Sequence, residues 1–262
     1  MDWVEDFYTK QEAWSGVYTS DVTDYHRRKA SLVRSMAGDA PQSVLELGAG
    51  GGQTAYATAE MGCQVTAVEL LPAPAAHATR LSERLGSGLL RIIQADFYTV
   101  HLDASYDLVC YWDGFGIGQD EDQVRLLKRI ARWVKPTGAV LLDIYSPWYW
   151  ALAAGREMVF GTVARRYGFD PEGNRMIDSW WPIGREQDRV SQSLRCYTPA
   201  DLKLLLRSTG LRLVDDATIP GGSVDYDRGT YQERAALNEC MSYTVKLVPE
   251  ERARVRAALQ HA

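Results

Sequence analysis

Along the first half of the chain, short apolar runs alternate with stretches of helical spacing. "SVLEL" (43–47), "QVTAVEL" (64–70), "LLRIIQADF" (89–97), "YDLVCYW" (106–112) and "AVLLDIY" (139–145) predict five strands. Residues 53–61, "APAAHATRLSERLG" (73–86) and "DEDQVRLLKRIARWV" (120–134) predict the helices between them. In the last of these, Val124, Leu127, Ile130 and Ala131 share one face, and an acidic first turn suits the helix dipole. Strands and helices alternating at this spacing predict a doubly wound, mostly parallel sheet of seven strands, an α/β fold with helices on both faces. Such sheets bind ligands beyond the carboxyl ends of their strands.

The rhythm changes at either end of this unit. Residues 1–40 are aromatic-rich and lack strand alternation, which predicts an N-terminal helical segment. After residue 145, "TVARRYGF", "NRMIDSWW" and "DRVSQSLRCY" predict short antiparallel strands, so 146–197 is expected to be a small β-insert after strand five. "TPADLKLLLRSTG" opens with Thr198 as a cap and Pro199 at the first helical position. "LRLVDDAT" and "NECMSYTVKLV" are expected to be the last sheet strands, followed by a terminal helix. The expected division is therefore N-terminal helices 1–40, core 41–145, insert 146–197 and C-terminal core 198–262.

Composition narrows the function classes. A net charge of −5 gives no overall pull toward nucleic acid or anionic lipid. There is no apolar run of membrane-spanning length, and the N-terminus "MDWVEDFYTK" is too acidic for a signal peptide. Four scattered cysteines without a CxxC pair fit a reducing cytoplasm and argue against zinc, and the acids form no obvious oxygen cage, so no metal is expected. Arg outnumbers Lys 23 to 6, in keeping with GC-rich bacterial codon usage.

"LELGAGGGQTA" (45–55) carries the chemistry. A dinucleotide fingerprint places a third glycine where this chain has Gln53. The pattern that fits instead is Glu46, Gly48, Gly50 and Gly52 at alternate positions, which resembles the first motif of the class I S-adenosylmethionine (SAM)-dependent methyltransferases. Glu69 ending the second strand, "ADF" ending the third, "YDLV" opening the fourth and "VKPTG" before the fifth follow in that family's order. The resemblance spans roughly residues 40–145 and 195–248.

The resemblance implies SAM as cofactor and a methyl acceptor bound beside it. Glu69 would accept from both ribose hydroxyls, Asp96 would take the adenine amine, and Phe97 and Leu70 would flank the ring. Glu46 would brace the glycine loop or touch the ligand, and Trp112 and Tyr18 would border the methionine end or the lid. Glycines suit such a loop because no side chain blocks backbone approach. The resemblance also implies that the N-terminal helices, residues 1–40, close over SAM as a lid, in which Trp14 and Tyr18 are candidate wall residues, beside Tyr8 and Tyr25, and Arg27 or Arg28 could meet the SAM carboxylate. Tyr145, Trp148 and Trp181 are candidate acceptor contacts in or beside the insert, although a small β-unit also needs aromatics for its own core. Arg166, Arg185 and Arg195 are candidate contacts for an acidic acceptor.

Methyl transfer to a neutral amine needs mainly positioning, whereas a phenol or alcohol gains from a base. His26 and Asp113 are the candidate bases, while His77 and His101 are expected at the surface. The expected acceptor is a small, aromatic or apolar metabolite methylated on N or O, with no nucleic-acid or membrane partner. A peptide or protein acceptor, an NAD(P)-dependent oxidoreductase and a non-catalytic SAM-binding module are the alternatives. The oligomeric state is left open.

Overall fold

A computed structural model describes residues 2–37, 42–86 and 88–250. The expected terminal helix and His261 fall outside them. Two helices, α1 (Asp2–Ser15) and α2 (Asp24–Ala37), precede the sheet, joined through a 3-10 turn at Val17–Thr19. Then follow β1 (Ser43–Leu47), α3 (Gln53–Glu60), β2 (Gln64–Glu69), α4 (Pro72–Leu85), β3 (Leu90–Gln94), β4 (Tyr106–Phe115), α5 (Asp120–Trp133) and β5 (Val134–Tyr145). A short helix α6 (Pro147–Ala153) leads into β6 (Glu157–Phe160), β7 (Val163–Asp170), β8 (Arg175–Pro182) and β9 (Val190–Arg195). The chain closes with α7 (Pro199–Leu205), β10 (Leu211–Pro220), a hairpin of β11 (Ser223–Asp225) and β12 (Thr230–Gln232), and β13 (Ser242–Pro249).

The main sheet has seven strands in the order β10-β13-β5-β4-β1-β2-β3. The pairs among β1 to β5 are parallel, and β13 runs antiparallel to both of its neighbours. Alternation sorts the side chains onto two faces. Leu45, Leu47, Val109, Tyr111, Val140 and Leu142 pack under α5 and α7, while Val44, Leu108, Cys110, Trp112 and Leu141 pack under α2 and α3. On α5 the buried face is Leu126, Leu127, Ile130 and Trp133, so Val124 sits at its margin, only half-buried.

Strands β6 to β9 form a four-stranded antiparallel sheet after strand five. The edge strand β6 and the β11–β12 hairpin were not anticipated from the pattern. Helix α1 is wedged against this second sheet: Phe7, Trp3, Tyr8 and Trp14 pack with Val163, Trp180 and Val190. Among the described residues, no helix is long and apolar enough to cross a membrane.

Candidate active site

The glycine turn after β1 is shaped by three left-handed residues, Gly48 (φ 59°), Gly50 (φ 55°) and Gly52 (φ 78°). A β-carbon on Gly48 would come within 3.0 Å of the Tyr111 ring, and one on Gly50 within 3.0 Å of the Tyr18 ring. Gly52 serves a different purpose from the one expected. It lies outside the cavity wall, and a β-carbon there would meet that of Ala78 at 2.5 Å, so it lets α3 pack against α4. Gln53, the departure from the dinucleotide pattern, fastens the N-terminal segment over the loop by donating to the Tyr18 carbonyl at 3.1 Å and the Ser20 carbonyl at 3.0 Å. His77 is buried rather than at the surface, and its Nδ1–H donates to the Gly51 carbonyl at 2.7 Å.

These elements enclose a cavity of about 330 Å³ at the carboxyl ends of β1 to β4. Gly48, Gly50, Glu69, Leu70, Asp96, Phe97, Trp112, Asp113 and Tyr18 all border it. Tyr8, Tyr98, Tyr111, Gly114 and Arg125 complete much of the wall, and of these only Tyr8 was anticipated. Glu69 is buried, with one carboxylate oxygen accepting from the Gly50 amide and the other from the Leu71 amide, each at 2.8 Å. Burial raises its pKa, and those backbone amides partly offset the rise. Each oxygen keeps lone-pair capacity for a ligand hydroxyl. Asp96 is oriented by the Tyr98 amide at 2.7 Å. Arg125, the one cation on this wall, lies over the Tyr98 ring at 4.5 Å.

The end of β4 departs from regular strand geometry. Between Tyr111 and Phe115, β4 spends four residue steps where β5 spends two, from Leu142 to Ile144. The resulting bulge places Asp113 at φ 56° and turns it toward the cavity. Bulges re-aim side chains in this way beside functional sites, and Asp tolerates the left-handed region better than most residues. Asp113 is exposed to the cavity while Trp112 and Gly114 on either side are buried. Tyr145 donates to Asp113 at 2.5 Å. Burial raises the Asp113 pKa, and the Tyr145 hydrogen bond acts against the rise.

Several expected residues stand elsewhere. Glu46 is buried within β1, outside the cavity wall. Burial pushes its carboxyl up to about 8, partly offset by Trp112 and the Ala55 amide, so its surroundings favour the neutral acid. His26 does not border the cavity: its Nδ1 accepts from the Thr23 amide at 3.0 Å at the start of α2. Trp14 packs in the α1–insert cluster, Trp148 stacks on Tyr243 at 6.4 Å, and Trp181 lies under the Arg189 guanidinium at 4.3 Å. None of these three tryptophans borders the cavity, because each fills an interface between elements. Tyr145 reaches the cavity only through Asp113. Arg27 and Arg28 are paired with Glu60 (3.3 Å) and Glu233 (3.1 Å), away from the cavity wall. Arg166, Arg185 and Arg195 are likewise paired with Glu157, Asp188 and Asp120.

Two buried ion pairs connect to the cavity wall, one through Trp112 and one through Tyr8, and pattern alone did not point to either. Lys29 of α2 bonds Asp143 of β5 and lies over the Trp112 ring at 5.0 Å. Burial opposes the Lys29 charge, but Asp143 outweighs it and holds the pKa above the usual value. In the insert, Arg165 reaches Asp178 with two bonds of 2.6 and 2.8 Å, and Trp180 and Gln192 also donate to Asp178. Tyr8 then donates to Gln192 at 2.7 Å, which carries this network to the cavity wall.

The family described as a methyltransferase domain matches residues 44–138. Residues 44–138 are a class I methyltransferase domain. The cofactor of such a domain is SAM. The bare glycine backbone, the two-oxygen acceptor at Glu69 and an acidic, aromatic wall fit a cationic nucleoside. The chain is 32% identical over 116 residues to a cypemycin N-terminal methyltransferase from a Streptomyces species; the match covers 44% of this chain and 46% of that relative. Thus the matched region spans less than half the length of the relative. The structure of the CcbJ methyltransferase from Streptomyces caelestis superposes with a TM-score of 0.66 at 21% identity, covering 86% of this chain and 89% of that one. A glycopeptide N-methyltransferase, MtfA, complexed with SAM gives a TM-score of 0.57 at 18% identity over 85% and 86% of the two chains. The methyltransferase domain thus supplies the glycine turn, Glu69, Asp96 and the β4 bulge, while Val4, Glu5 and Tyr8 of α1 and Tyr18 after it complete the wall.

Proposed function

We propose that the protein is an N-methyltransferase acting on an amine of a small molecule or a peptide amino terminus. The observation that carries this reading is Asp113, a carboxylate turned out of β4 into the cavity with a tyrosine hydroxyl as its partner. Lys29 and Arg165 are each held by their own carboxylates, so Asp113 is left to face a cationic or N–H-bearing acceptor. The N-terminal and glycopeptide N-methyltransferase relatives agree with this choice of acceptor atom.

When bound, SAM supplies an electrophilic methyl group on its sulfonium. Glu69 would hold the ribose hydroxyls, Gly48 and Gly50 would let the backbone approach, and Asp96 with Phe97 would hold the adenine. Asp113 accepts a hydrogen bond from the amine and aims its lone pair. If the acceptor arrives as an ammonium, its N–H bond breaks as the Asp113 carboxylate takes the proton, which leaves the nitrogen lone pair free. Burial favours the protonated acid, while the Tyr145 hydrogen bond keeps the ionised form available.

Asp113→Asn is expected to lower kcat/KM for amines by about 100-fold, the low end of general-base effects. Calorimetry should show S-adenosylhomocysteine (SAH) affinity unchanged in that variant. His26→Ala, by contrast, should leave turnover within about twofold, since its ring caps α2 outside the cavity. Full activity in Asp113→Asn, or a collapse in His26→Ala, would reverse these roles.

A further inference from the structure

Three tyrosines that border the cavity have hydroxyl protons already committed elsewhere. Tyr111 donates to the Gly114 carbonyl at 2.9 Å, Tyr18 to the Gln11 side-chain oxygen at 2.7 Å, and Tyr8 to the Gln192 side-chain oxygen at 2.7 Å. A hydroxyl has one proton and two lone pairs, so an oxygen that has spent its proton can only accept from a ligand.

For Tyr8 this polarity is imposed from the second sheet. Asp178 accepts from both ends of the Arg165 fork, at 2.6 and 2.8 Å, and from the Trp180 indole at 2.9 Å. A carboxylate paired with a guanidinium has no proton to give. The Gln192 amide must therefore turn its NH2 group toward Asp178, and it donates there at 3.1 Å. Its carbonyl oxygen is left facing Tyr8, and a carbonyl cannot donate, so the Tyr8 hydroxyl has to. Burial raises the Tyr8 pKa well above the ordinary value, and Tyr18, Asp113, Asp178 and Glu69 add to the rise, so the proton stays in place. Tyr18, Asp113 and Glu69 border the cavity while Asp178 lies in the second sheet, which puts the Tyr8 hydroxyl between the two. Edge contacts with the Phe7 ring at 5.0 Å and the Tyr18 ring at 6.1 Å hold the Tyr8 ring in its place.

We propose that Tyr8 is a second receiver for the acceptor's hydrogens, beside Asp113, and that Gln192 is the positioning residue that keeps it one. This inference rests on the amine reading above and adds what the nitrogen must carry: two N–H hydrogens, one for Asp113 and one for Tyr8. A primary or secondary ammonium meets that requirement, and a tertiary one, with a single N–H, does not.

The test is a calorimetric titration of phenethylamine and of its N,N-dimethyl derivative into the full chain saturated with SAH, at neutral pH, where both are ammonium ions. The wild type should bind the primary amine about tenfold more tightly, the scale of one hydrogen bond from a charged donor. Tyr8→Phe keeps the ring and removes the oxygen, so it should erase most of that preference by weakening phenethylamine alone, with SAH affinity unchanged. Gln192→Leu frees the Tyr8 proton to turn into the cavity and should erase most of it with the tyrosine still present. A role confined to docking α1 on the second sheet would weaken both amines alike and leave their ratio unmoved. Equal binding of the two amines by the wild type, or an undiminished ratio in either variant, overturns the inference. Should Asp113→Asn weaken both amines while the ratio survives Tyr8→Phe, the amine reading stands and this one falls. A wild type that binds neither amine brings down the amine reading itself, and this inference with it.

Discussion

From Gly48 to Thr99 the cavity wall comes from one continuous stretch of chain, the turns after β1, β2 and β3. The wall around Asp113 is assembled differently, from α1, β4, β5 and a network that runs into the second sheet. The first wall needs backbone turns and two carboxylates at strand ends, so neighbours in sequence supply nearly everything. The second depends on contacts between residues far apart in the chain, such as Lys29 with Asp143 and Tyr8 with Gln192. A cofactor common to many acceptors can be held by a local motif, whereas selection of one acceptor draws on whatever elements the chain brings over that motif.

The strongest way to break this contrast is to disrupt the distant network. Asp178 is fully buried and receives four hydrogen bonds from three side chains. Asp178→Ala leaves the Arg165 guanidinium without its partner and should cost about 3–5 kcal/mol of stability, the usual penalty for orphaning a buried charge. Denaturant unfolding measures it directly, and a loss near zero would mean that the insert is not held through this network.

Glu69→Ala attacks the local wall. SAH affinity should weaken by about 1.5–3 kcal/mol, as expected for lost hydrogen bonds to a charged group. If calorimetry shows unchanged affinity in a folded variant, Glu69 braces the Gly50 turn without touching ligand.

A subtler effect concerns Glu46. Its folded pKa of about 8 lies above the ordinary 4.5, so the folded chain retains a proton that the unfolded chain releases. This group therefore lowers stability progressively as pH rises from about 4.5 to about 8, and adds no further loss above that range. Glu46→Gln removes the titration, so its melting temperature should fall less steeply than that of the wild type between those limits. Parallel slopes would show that Glu46 is ionised in the folded protein.

The same contrast governs what could be read from the chain. The five parallel strands, the glycine turn and the carboxylates at Glu69 and Asp96 were legible because strand periodicity and short-range spacing report directly on the wall they build. Asp113 was visible as a candidate, but its two-residue bulge was not, since a bulge is defined by register with β5. Trp14, Trp148 and Trp181 looked like pocket residues because aromatic clustering is the same whether rings line a site or fill an interface. Arg27, Arg28 and Arg195 looked free because their partners, Glu60, Glu233 and Asp120, lie well away in the chain. Gly52 and Gln53 sat in the motif for reasons of packing and of attachment of the N-terminal segment, contacts with Ala78 and with Tyr18 that only the folded chain reveals.

The central claim is that the acceptor is an amine directed by Asp113. Tyramine carries an aliphatic amine and a phenol on one small aromatic frame, so it makes the protein choose between nitrogen and oxygen. Incubation of the full chain with SAM and tyramine, followed by fragmentation mass spectrometry of the product, should place the new methyl group on nitrogen, with the yield reduced in Asp113→Asn. A methyl group on the phenol oxygen, or SAM bound with no methyl transferred to either atom, would contradict the account.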